Sequence, residues 1–304
     1  MGEKEQSLAF TRAVSSYIIR CAPVVSYTDE DVKKAEAGFS DEEKEILREA
    51  GWLGEDFESF YVTNRFVNGI GLQDRASDRF LQLLYQNARK LDASAFRQDS
   101  YLAHIRAPEK KIGRFQLKNV SYQRGEILQY AMPDLSAPIT VPRLGFFSEE
   151  VTFPAVYEGE MPWVSVCPSE ISSMSPDVMR AHGRVLVLGL GLGWYPYRIS
   201  LLPSVKSVTV VELSGEVIRL FRDHLLPQFE QGEKLHLVQA DAFDYLEQLK
   251  PGQFDFCYAD IWESQTDGAD AYKRIQPFER RLPGTEFAYW IREQILWQLS
   301  QDEE

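Results

Sequence analysis

Short apolar runs alternate with amphipathic stretches through the second half of the chain. The runs RVLVLG, SVTVVEL, KLHLVQA and FDFCYAD, within residues 184–260, predict four strands, of which the first and the fourth are expected to be buried. The stretches WYPYRISLL, SGEVIRLFRDHLL and DAFDYLEQL, which lie between them, predict three helices. Strands that alternate with helices at this spacing are typical of a parallel sheet covered on both faces. The pattern therefore predicts an α/β fold.

The first half of the chain has a different pattern. Residues 1–111 predict helices, one of which begins in SDEEKEILREAG with a capping box formed by Ser40 and Glu43. Residues 112–175 contain short β-rich segments that are broken by glycine and proline. We therefore predict three parts: a helical region 1–111, a β-rich connecting region 112–175, and the parallel-sheet domain 176–304.

Few residues remain after the fourth predicted strand to enlarge the sheet. The segment ESQTDGADAYKRIQPFERRLPG predicts a loop. The segment TEFAYWIREQILWQL predicts a docking helix, because Phe287, Trp290, Ile291 and Ile295 form an apolar stripe at helical spacing. On this pattern the sheet is either short or completed by strands from residues 112–166.

Composition and charge limit the compartment and the partners that we expect. The net charge of −13 disfavours nucleic acid and anionic membranes as partners. The cysteines are odd in number and far apart, and the chain begins without the apolar segment of a signal peptide, so we expect a soluble, cytoplasmic protein. Residues 79–124 form a basic segment that leaves RNA open as a partner, although such segments more often pack near acidic side chains. The oligomeric state is not predicted.

Three glycines follow the first predicted strand at alternate positions. Gly189, Gly191 and Gly193 allow a ligand to approach the backbone and the following helix N-terminus without meeting a Cβ atom. Glycines also serve tight turns, and that alternative stays open. A dinucleotide fold prefers G-x-G-x-x-G/A, whereas here Trp194 occupies the last position and the spacing is G-x-G-x-G. The spacing therefore favours S-adenosylmethionine (SAM) over NAD as the ligand.

One carboxylate ends each of the next three predicted strands. Glu212 ends the second strand, where an acid can accept both hydroxyls of a ribose. Asp241 ends the third strand and Asp260 the fourth. Alternative roles are an exposed strand-end charge for Glu212, a helix N-cap for Asp241 and a loop cap for Asp260. Their joint occurrence beside the glycine turn favours a nucleoside-binding rim.

Residues 184–263 resemble the nucleoside-binding half of a class I SAM-dependent methyltransferase. The order and spacing of their motifs are most similar to the spermidine-synthase-like branch. The resemblance covers about a quarter of the chain and implies a Rossmann-like sheet. It implies that the three glycines approach the methionine part of SAM and that Glu212 holds the ribose. It further implies that Asp241, with Ala242 and Phe243, holds the adenine.

The glycine turn departs from the spermidine-synthase pattern at one position. In that branch the turn reads G-G-G-D-G-G, and its aspartate helps to hold the amine substrate. This chain has Leu192 there, followed after Gly193 by Trp194, which predicts an apolar wall where relatives keep charge. A polyamine acceptor needs carboxylates in its pocket, so the change disfavours polyamine synthesis.

The main functional hypothesis is therefore a SAM-dependent methyltransferase that acts on a small-molecule acceptor. The resemblance places Asp260 at the reaction centre, where it would orient the acceptor or remove its proton. Alternation along the strand sends Tyr258 to the same side as Asp260. Two alternatives remain, a spermidine-synthase-like aminopropyltransferase that uses decarboxylated SAM and a non-catalytic protein that binds SAM or another nucleoside. The scattered histidines predict no metal site.

Overall fold

A computed structural model describes residues 2–54 and 56–302. The helices are α1 (Glu3–Cys21), α2 (Asp29–Glu36), α3 (Asp41–Glu49), α4 (Phe57–Gly69), α5 (Asp78–Asn87), α6 (Ala93–Arg97), α7 (Ser100–His104), α8 (Pro168–Val178), α9 (Trp194–Ser200), α10 (Gly215–Leu220), α11 (Ala242–Gln248), α12 (Gln265–Arg281) and α13 (Arg292–Asp302). The strands are β1 (Arg89–Lys90), β2 (Lys110–Ile112), β3 (Phe115–Tyr122), β4 (Leu128–Ala131), β5 (Arg143–Phe146), β6 (Val151–Glu158), β7 (Met161–Ser165), β8 (Gly183–Leu188), β9 (Val205–Glu212), β10 (Leu235–Gln239), β11 (Phe256–Ala259) and β12 (Glu286–Tyr289). Over the described ranges, no helix is both long enough and apolar enough to span a bilayer.

Packing divides the chain into two compact units. The first comprises residues 1–96 and 121–152, and the second comprises residues 97–120 and 153–304. This division is based on contacts between elements. The predicted boundaries after residues 111 and 175 are based on changes in the sequence pattern. Those boundaries stay a prediction.

The first unit is a helical cluster with a small sheet. Helices α1, α2, α4 and α5 contribute to one apolar core, in which Val62 and Leu84 are fully buried. Strand β5 pairs in parallel with β1 and antiparallel with β4. The predicted capping box is confirmed at the start of α3, where the Ser40 hydroxyl accepts a hydrogen bond from the Glu43 amide and the Ser40 amide donates to the Glu43 carboxylate.

The second unit contains a five-stranded parallel sheet in the order β10-β9-β8-β11-β12. Strand β8 lies at the centre, and its residues Val185–Leu188 are buried because both faces of the sheet are covered. The predicted α/β fold with a parallel sheet is confirmed. All five strands run the same way, so their carboxyl ends meet at one edge of the sheet, where such folds bind ligands.

The prediction for the last part of the chain was wrong for residues 265–289 and is confirmed for residues 292–299, which lie in the helix α13. The segment predicted as a loop contains the helix α12, and the start of the predicted docking helix is the strand β12. Strand β12 pairs along β11, with Ala288 opposite Tyr258, and supplies the fifth strand. Ile291 lies between β12 and α13 and has a positive φ of 48°, a backbone conformation that belongs to neither a strand nor a right-handed helix. The strands β2, β3, β6 and β7 form a separate sheet and do not complete the parallel one.

An ion pair connects Arg184, at the start of β8, with Asp255, which directly precedes β11. The Asp255 carboxylate accepts hydrogen bonds from the Arg184 amide at 2.7 Å and from its guanidinium at 3.0 and 3.1 Å. These bonds lower the pKa of Asp255 to about 2. A lowered pKa stabilises the fold above the pKa of the unfolded state, about 3.9, and this stabilisation is lost as the pH falls towards 2.

Asp255→Asn is therefore expected to reduce the free energy of unfolding at pH 7 by about 1 kcal/mol, a value reduced for screening because the pair is partly exposed. The difference from wild type should shrink between pH 4 and pH 2, as measured by urea denaturation. Asp270→Asn, which neutralises an exposed carboxylate on α12, is the matched control. A constant difference across this pH range would contradict the role of the ion pair.

Candidate active site

A cavity of about 880 Å³ opens at the carboxyl ends of β8, β9, β10 and β11. This volume is within the range of sites for small molecules and cofactors. The lining residues in the described part of the chain include no lysine, arginine or histidine. They include six carboxylates: Glu158, Glu170, Glu212, Asp241, Asp260 and Glu263. The cavity therefore has a strongly acidic lining that favours a cationic ligand.

The glycine turn that follows β8 forms part of the cavity wall. Gly189 has a φ of +95°, and a Cβ atom there would lie 1.9 Å from the Asp260 carbonyl oxygen. Gly193 has a φ of +78°, and a Cβ atom there would lie 2.3 Å from the Phe221 ring. At Gly191 a Cβ atom would meet nothing closer than 3.6 Å. Packing thus requires glycine at positions 189 and 193, and the approach of a ligand to the three glycines stays a prediction.

Glu212 lies at the end of β9 beside this turn and is only 8% exposed. The alternative of an exposed strand-end charge was therefore wrong. Its carboxylate accepts hydrogen bonds from the Leu190 amide at 3.1 Å and the Ser214 amide at 2.7 Å. Burial raises its pKa, and these bonds oppose the rise. The Leu213 amide is a third backbone donor to this carboxylate. A carboxylate accepts about four hydrogen bonds, so a lone pair remains for a ribose hydroxyl, and the predicted role stays a prediction.

Two apolar side chains, Leu213 and Phe243, also line the cavity. Leu213 is 68% exposed and lines the cavity, which is unusual for a leucine at the end of a buried strand. Phe243 lines the cavity at the start of α11, and the guanidinium of Arg274 covers one face of its ring at 3.5 Å. These two side chains offer apolar contact to a nucleobase. Sequence reasoning missed Leu213, which it treated only as the end of a strand.

Asp241 caps helix α11. One of its carboxylate oxygens accepts hydrogen bonds from the amides of Phe243 at 2.8 Å and Asp244 at 3.2 Å. The N-cap alternative is therefore confirmed as a structural role. Asp241, Ala242 and Phe243 also line the cavity, as a base-binding role requires. Because one oxygen makes both capping bonds, the other is available to a ligand, and the adenine-binding role stays a prediction.

Asp260 follows β11 and faces the cavity together with Tyr258. The Asp260 amide donates to the Leu188 carbonyl at 2.9 Å, which fixes the residue against the end of β8. Tyr258 is fully buried and stacks on Tyr195 with 3.8 Å between ring centroids. Burial, followed by the charge of Glu170, raises the pKa of Asp260 well above its ordinary value. A carboxyl group in a cavity with a raised pKa is a candidate for proton transfer.

Glu170 is a cavity residue that sequence reasoning missed. It lies in the first turn of α8, where acidic residues are common because they interact favourably with the helix dipole. The sequence therefore does not distinguish Glu170 from an ordinary residue of a helix N-terminus. Burial raises its pKa to about 7. Its helix is held beside the site by two hydrogen bonds, from the Trp290 indole to the Ser173 hydroxyl at 2.8 Å and from the Tyr195 hydroxyl to the Asp177 carbonyl at 3.1 Å.

Leu192 and Trp194 both line the cavity, as the predicted apolar wall requires, but both are almost fully buried. The Leu192 carbonyl accepts a hydrogen bond from the Tyr101 hydroxyl at 2.6 Å. The Trp194 indole donates to the Asp99 carboxylate at 3.2 Å, and the Arg198 guanidinium packs on its ring. These contacts hold the glycine turn in place. Trp194 therefore packs against neighbouring side chains as well as lining the cavity.

Comparison with known proteins finds a match between residues 171–276 and the spermine/spermidine synthase domain. A polyamine aminopropyltransferase from Synechococcus sp. (strain JA-2-3B'a(2-13)) is 32% identical over 113 residues, which cover 35% of this chain and 36% of that protein. A second, from Synechococcus sp. (strain JA-3-3Ab), is 37% identical over 82 residues, which cover 25% of this chain and 26% of that protein. The matches thus span only about a third or a quarter of these relatives.

These similarities support a class I methyltransferase-like fold of the spermidine synthase branch. They overturn the hypothesis of SAM-dependent methylation, because both relatives are named for aminopropyl transfer. The hypothesis was wrong because the glycine spacing identifies a nucleoside-binding scaffold that both reactions share. The alternative of aminopropyl transfer agrees better with the comparisons, and SAM itself is not supported as the cofactor.

Proposed function

We propose that the protein transfers an aminopropyl group from decarboxylated SAM to an amine. The observation that carries this proposal is the cavity lined by six carboxylates and, within the described residues, by no cationic side chain. Decarboxylated SAM carries a sulfonium and an ammonium group and no carboxylate, so its charge complements this lining. SAM carries a carboxylate that would be repelled there. The similarity to polyamine aminopropyltransferases supports the same reaction.

The reaction forms one C–N bond and breaks one C–S bond. The neutral acceptor nitrogen attacks the methylene carbon next to the sulfonium, the C–S electron pair returns to sulfur, and 5′-methylthioadenosine leaves. Because the leaving group is already good, alignment of the two substrates supplies most of the acceleration. In this proposal Glu212 and Asp241 hold the nucleoside, and Asp260 takes the proton that the acceptor nitrogen loses.

A non-catalytic nucleoside-binding protein is the second candidate. Leu192 favours it, because it stands where the spermidine-synthase turn has an aspartate that helps to hold the amine. Glu212 and Asp241 both line the cavity, which supports nucleoside binding with or without turnover. The two candidates therefore predict the same donor affinity and differ in turnover.

Calorimetry and a product assay test the proposal together. We expect decarboxylated SAM to bind at least ~10-fold more tightly than SAM, because an uncompensated carboxylate in an acidic cavity costs more than ~1.4 kcal/mol. We also expect 5′-methylthioadenosine to form from decarboxylated SAM when 1,3-diaminopropane, 1,4-diaminobutane or spermidine is added. Tighter binding of SAM would contradict the proposed donor. Donor binding without product from any of these amines would favour the non-catalytic candidate.

A further inference from the structure

The strand order gives the two halves of the cavity different parts in the proposed reaction. The proposed nucleoside contacts follow β9 and β10, on one side of the central strand β8. Asp260 follows β11, on the other side of β8, so an acceptor that reacts beside Asp260 extends away from the nucleoside. We call this second half the acceptor end. Its lining comprises residues 158, 162–166, 170, 174, 260–263 and 290.

Four apolar side chains of the acceptor end keep surface that a ligand can contact. Pro162 is exposed, and Trp163, Val164 and Ile261 are half-buried. We refer to these four side chains as the apolar wall. The Trp163 ring packs on Phe115 with 5.1 Å between ring centroids, which limits its movement. A wall of this kind favours a ligand with an apolar surface.

Strand β7, which supplies most of the apolar wall, lies beside the glycine turn. The Cγ2 atom of Val164 is 3.6 Å from the position that a Cβ atom would have at Gly191. The turn has Leu192 at the position where the spermidine-synthase turn has an aspartate. The turn thus offers no carboxylate to the acceptor end, and the sequence of β7 contains no charged residue.

The carboxylates of the acceptor end lie either at the reaction centre or at the rim. Asp260 and Glu170 are neighbours, since the charge of Glu170 contributes to the raised pKa of Asp260. The Glu158 carboxylate forms an ion pair with the Arg114 guanidinium at 3.1 Å. Glu263 is exposed to water, where an ion pair gains little. A second ammonium on the acceptor would therefore contact the apolar wall with no free counter-charge among the described residues, which is unfavourable for a charge.

We propose that the acceptor is a primary monoamine with an apolar alkyl or aryl body, and not a diamine. Its amino group reacts beside Asp260, and its body lies against the apolar wall. The inference rests on the proposed aminopropyl transfer and adds to it the chemical class of the acceptor. It also accounts for Leu192, because an acceptor with a single amino group needs no second carboxylate.

The reaction with a monoamine needs no further co-reactant. The neutral nitrogen forms a bond to the methylene carbon next to the sulfonium, the C–S bond breaks with its electron pair on sulfur, and 5′-methylthioadenosine leaves. The nitrogen loses one proton, which Asp260 accepts, and the product is a secondary amine that carries the 3-aminopropyl group. Only the nitrogen changes its bonds, so the body of the acceptor contributes through binding and alignment.

Two amines that differ in one group test the inference directly. n-Pentylamine has a methyl group where 1,4-diaminobutane has its second ammonium, and the two chains are equally long. Formation of 5′-methylthioadenosine from decarboxylated SAM measures kcat/KM for each amine. We expect the value for n-pentylamine to be at least ~10-fold higher, because its methyl group gains apolar contact whereas the ammonium stays unpaired. 2-Phenylethylamine, measured in the same way, distinguishes an aryl from an alkyl body.

Trp163→Ala removes the largest side chain of the apolar wall. We expect it to lower the preference for n-pentylamine over 1,4-diaminobutane by about 10-fold, because the apolar body loses contact area and the ammonium does not. Trp297→Ala changes a tryptophan on α13, outside the cavity, and is the matched control that should keep the wild-type preference.

Pro162→Glu tests the same wall at an exposed position, where the substitution does not disturb a packed core. The new carboxylate gives the second ammonium a partner. We expect kcat/KM for 1,4-diaminobutane to rise relative to n-pentylamine by up to about 5-fold, the range for an ion pair at a partly exposed site. Pro162→Gln has the same side-chain length without the charge and should shift this ratio less.

The outcomes separate this inference from the proposed function. A higher kcat/KM for either monoamine than for 1,4-diaminobutane supports the inference, and product from a monoamine with none from the diamine supports both proposals. An equal or higher value for 1,4-diaminobutane would overturn the inference and leave aminopropyl transfer standing. An unchanged preference in both Trp163→Ala and Pro162→Glu would also overturn it, because the body of the acceptor would then lie elsewhere. Binding of decarboxylated SAM without product from any amine tested would overturn both.

Discussion

Gly189→Ala is expected to destabilise the parallel-sheet unit by more than about 3 kcal/mol, through backbone strain and a collision that add to each other. The φ of +95° at Gly189 is unfavourable for any residue with a Cβ atom. The new methyl group would also lie 1.9 Å from the carbonyl oxygen of Asp260 and 2.9 Å from its carbonyl carbon. Both atoms belong to the backbone, so no side-chain rotation relieves the contact, and the ends of β8 and β11 would have to separate.

Gly252→Ala separates the two causes experimentally. Gly252 has a φ of +80° and open space around it, so alanine there should cost only the backbone strain of about 1–2 kcal/mol. Urea denaturation of both variants, followed by tryptophan fluorescence, measures the difference. If Gly189→Ala is no less stable than Gly252→Ala, the close packing of the glycine turn on Asp260 is contradicted. If Gly189→Ala is too unstable to purify while Gly252→Ala folds, the expectation is met.

The parallel sheet was predictable because its central strands are buried on both faces. A strand of this kind needs a continuous apolar run, as in β8 and β11, and helical stretches with recognisable starts separate the runs that become β8, β9, β10 and β11. Ser214, for example, caps α10 by accepting from the Val217 amide at 3.3 Å. Local sequence and tertiary structure agree in this region, which is why the pattern could be interpreted without other information.

The end of the chain was not predictable by the same method. The segment that forms α12 contains Gly268 and Pro277, both of which ordinarily indicate a loop. Gly268 is needed because a Cβ atom there would approach the Trp262 ring to 2.8 Å, a tertiary contact that the sequence does not reveal. The apolar residues of β12 also match helical spacing, and they form a strand because β11 offers an unpaired edge. Here the tertiary partner decides the structure.

The site was predictable where its residues follow strands and was missed where they do not. Glu212, Asp241 and Asp260 were found because each ends a predicted strand, and all three line the cavity. Glu170 precedes the recognisable pattern and resembles an ordinary residue of a helix N-terminus. Its proximity to Asp260 depends on how α8 packs, which has no local sequence signal.

Asp260→Asn is expected to lower the turnover of the proposed aminopropyl transfer by about 10²- to 10⁴-fold, the usual contribution of a general base. Asparagine matches the shape of aspartate and cannot accept a proton at neutral pH. The packing of the Asp260 backbone against Leu188 and Gly189 does not involve its carboxylate, so the fold should be preserved. Affinity for 5′-methylthioadenosine, which has no ammonium to contact Asp260, should also be preserved. Asp270→Asn on the exposed side of α12 is the control and should retain wild-type turnover.

The pH dependence of single-turnover rates distinguishes a base from a residue that only shapes the cavity. Because burial and the charge of Glu170 raise the pKa of Asp260, the wild-type rate should begin to fall, as the pH is lowered, well above the ordinary range of a carboxyl group. In Asp260→Asn the fall in rate that protonation of Asp260 causes should be absent. The remaining slow rate should depend on pH only through the acceptor amine and the other carboxylates. Formation of 5′-methylthioadenosine from decarboxylated SAM and 1,4-diaminobutane provides the rate at each pH. A variant with more than a third of the wild-type rate and an unchanged profile would show that another group takes the proton, and Glu170, the neighbouring acid, would then be the next to replace.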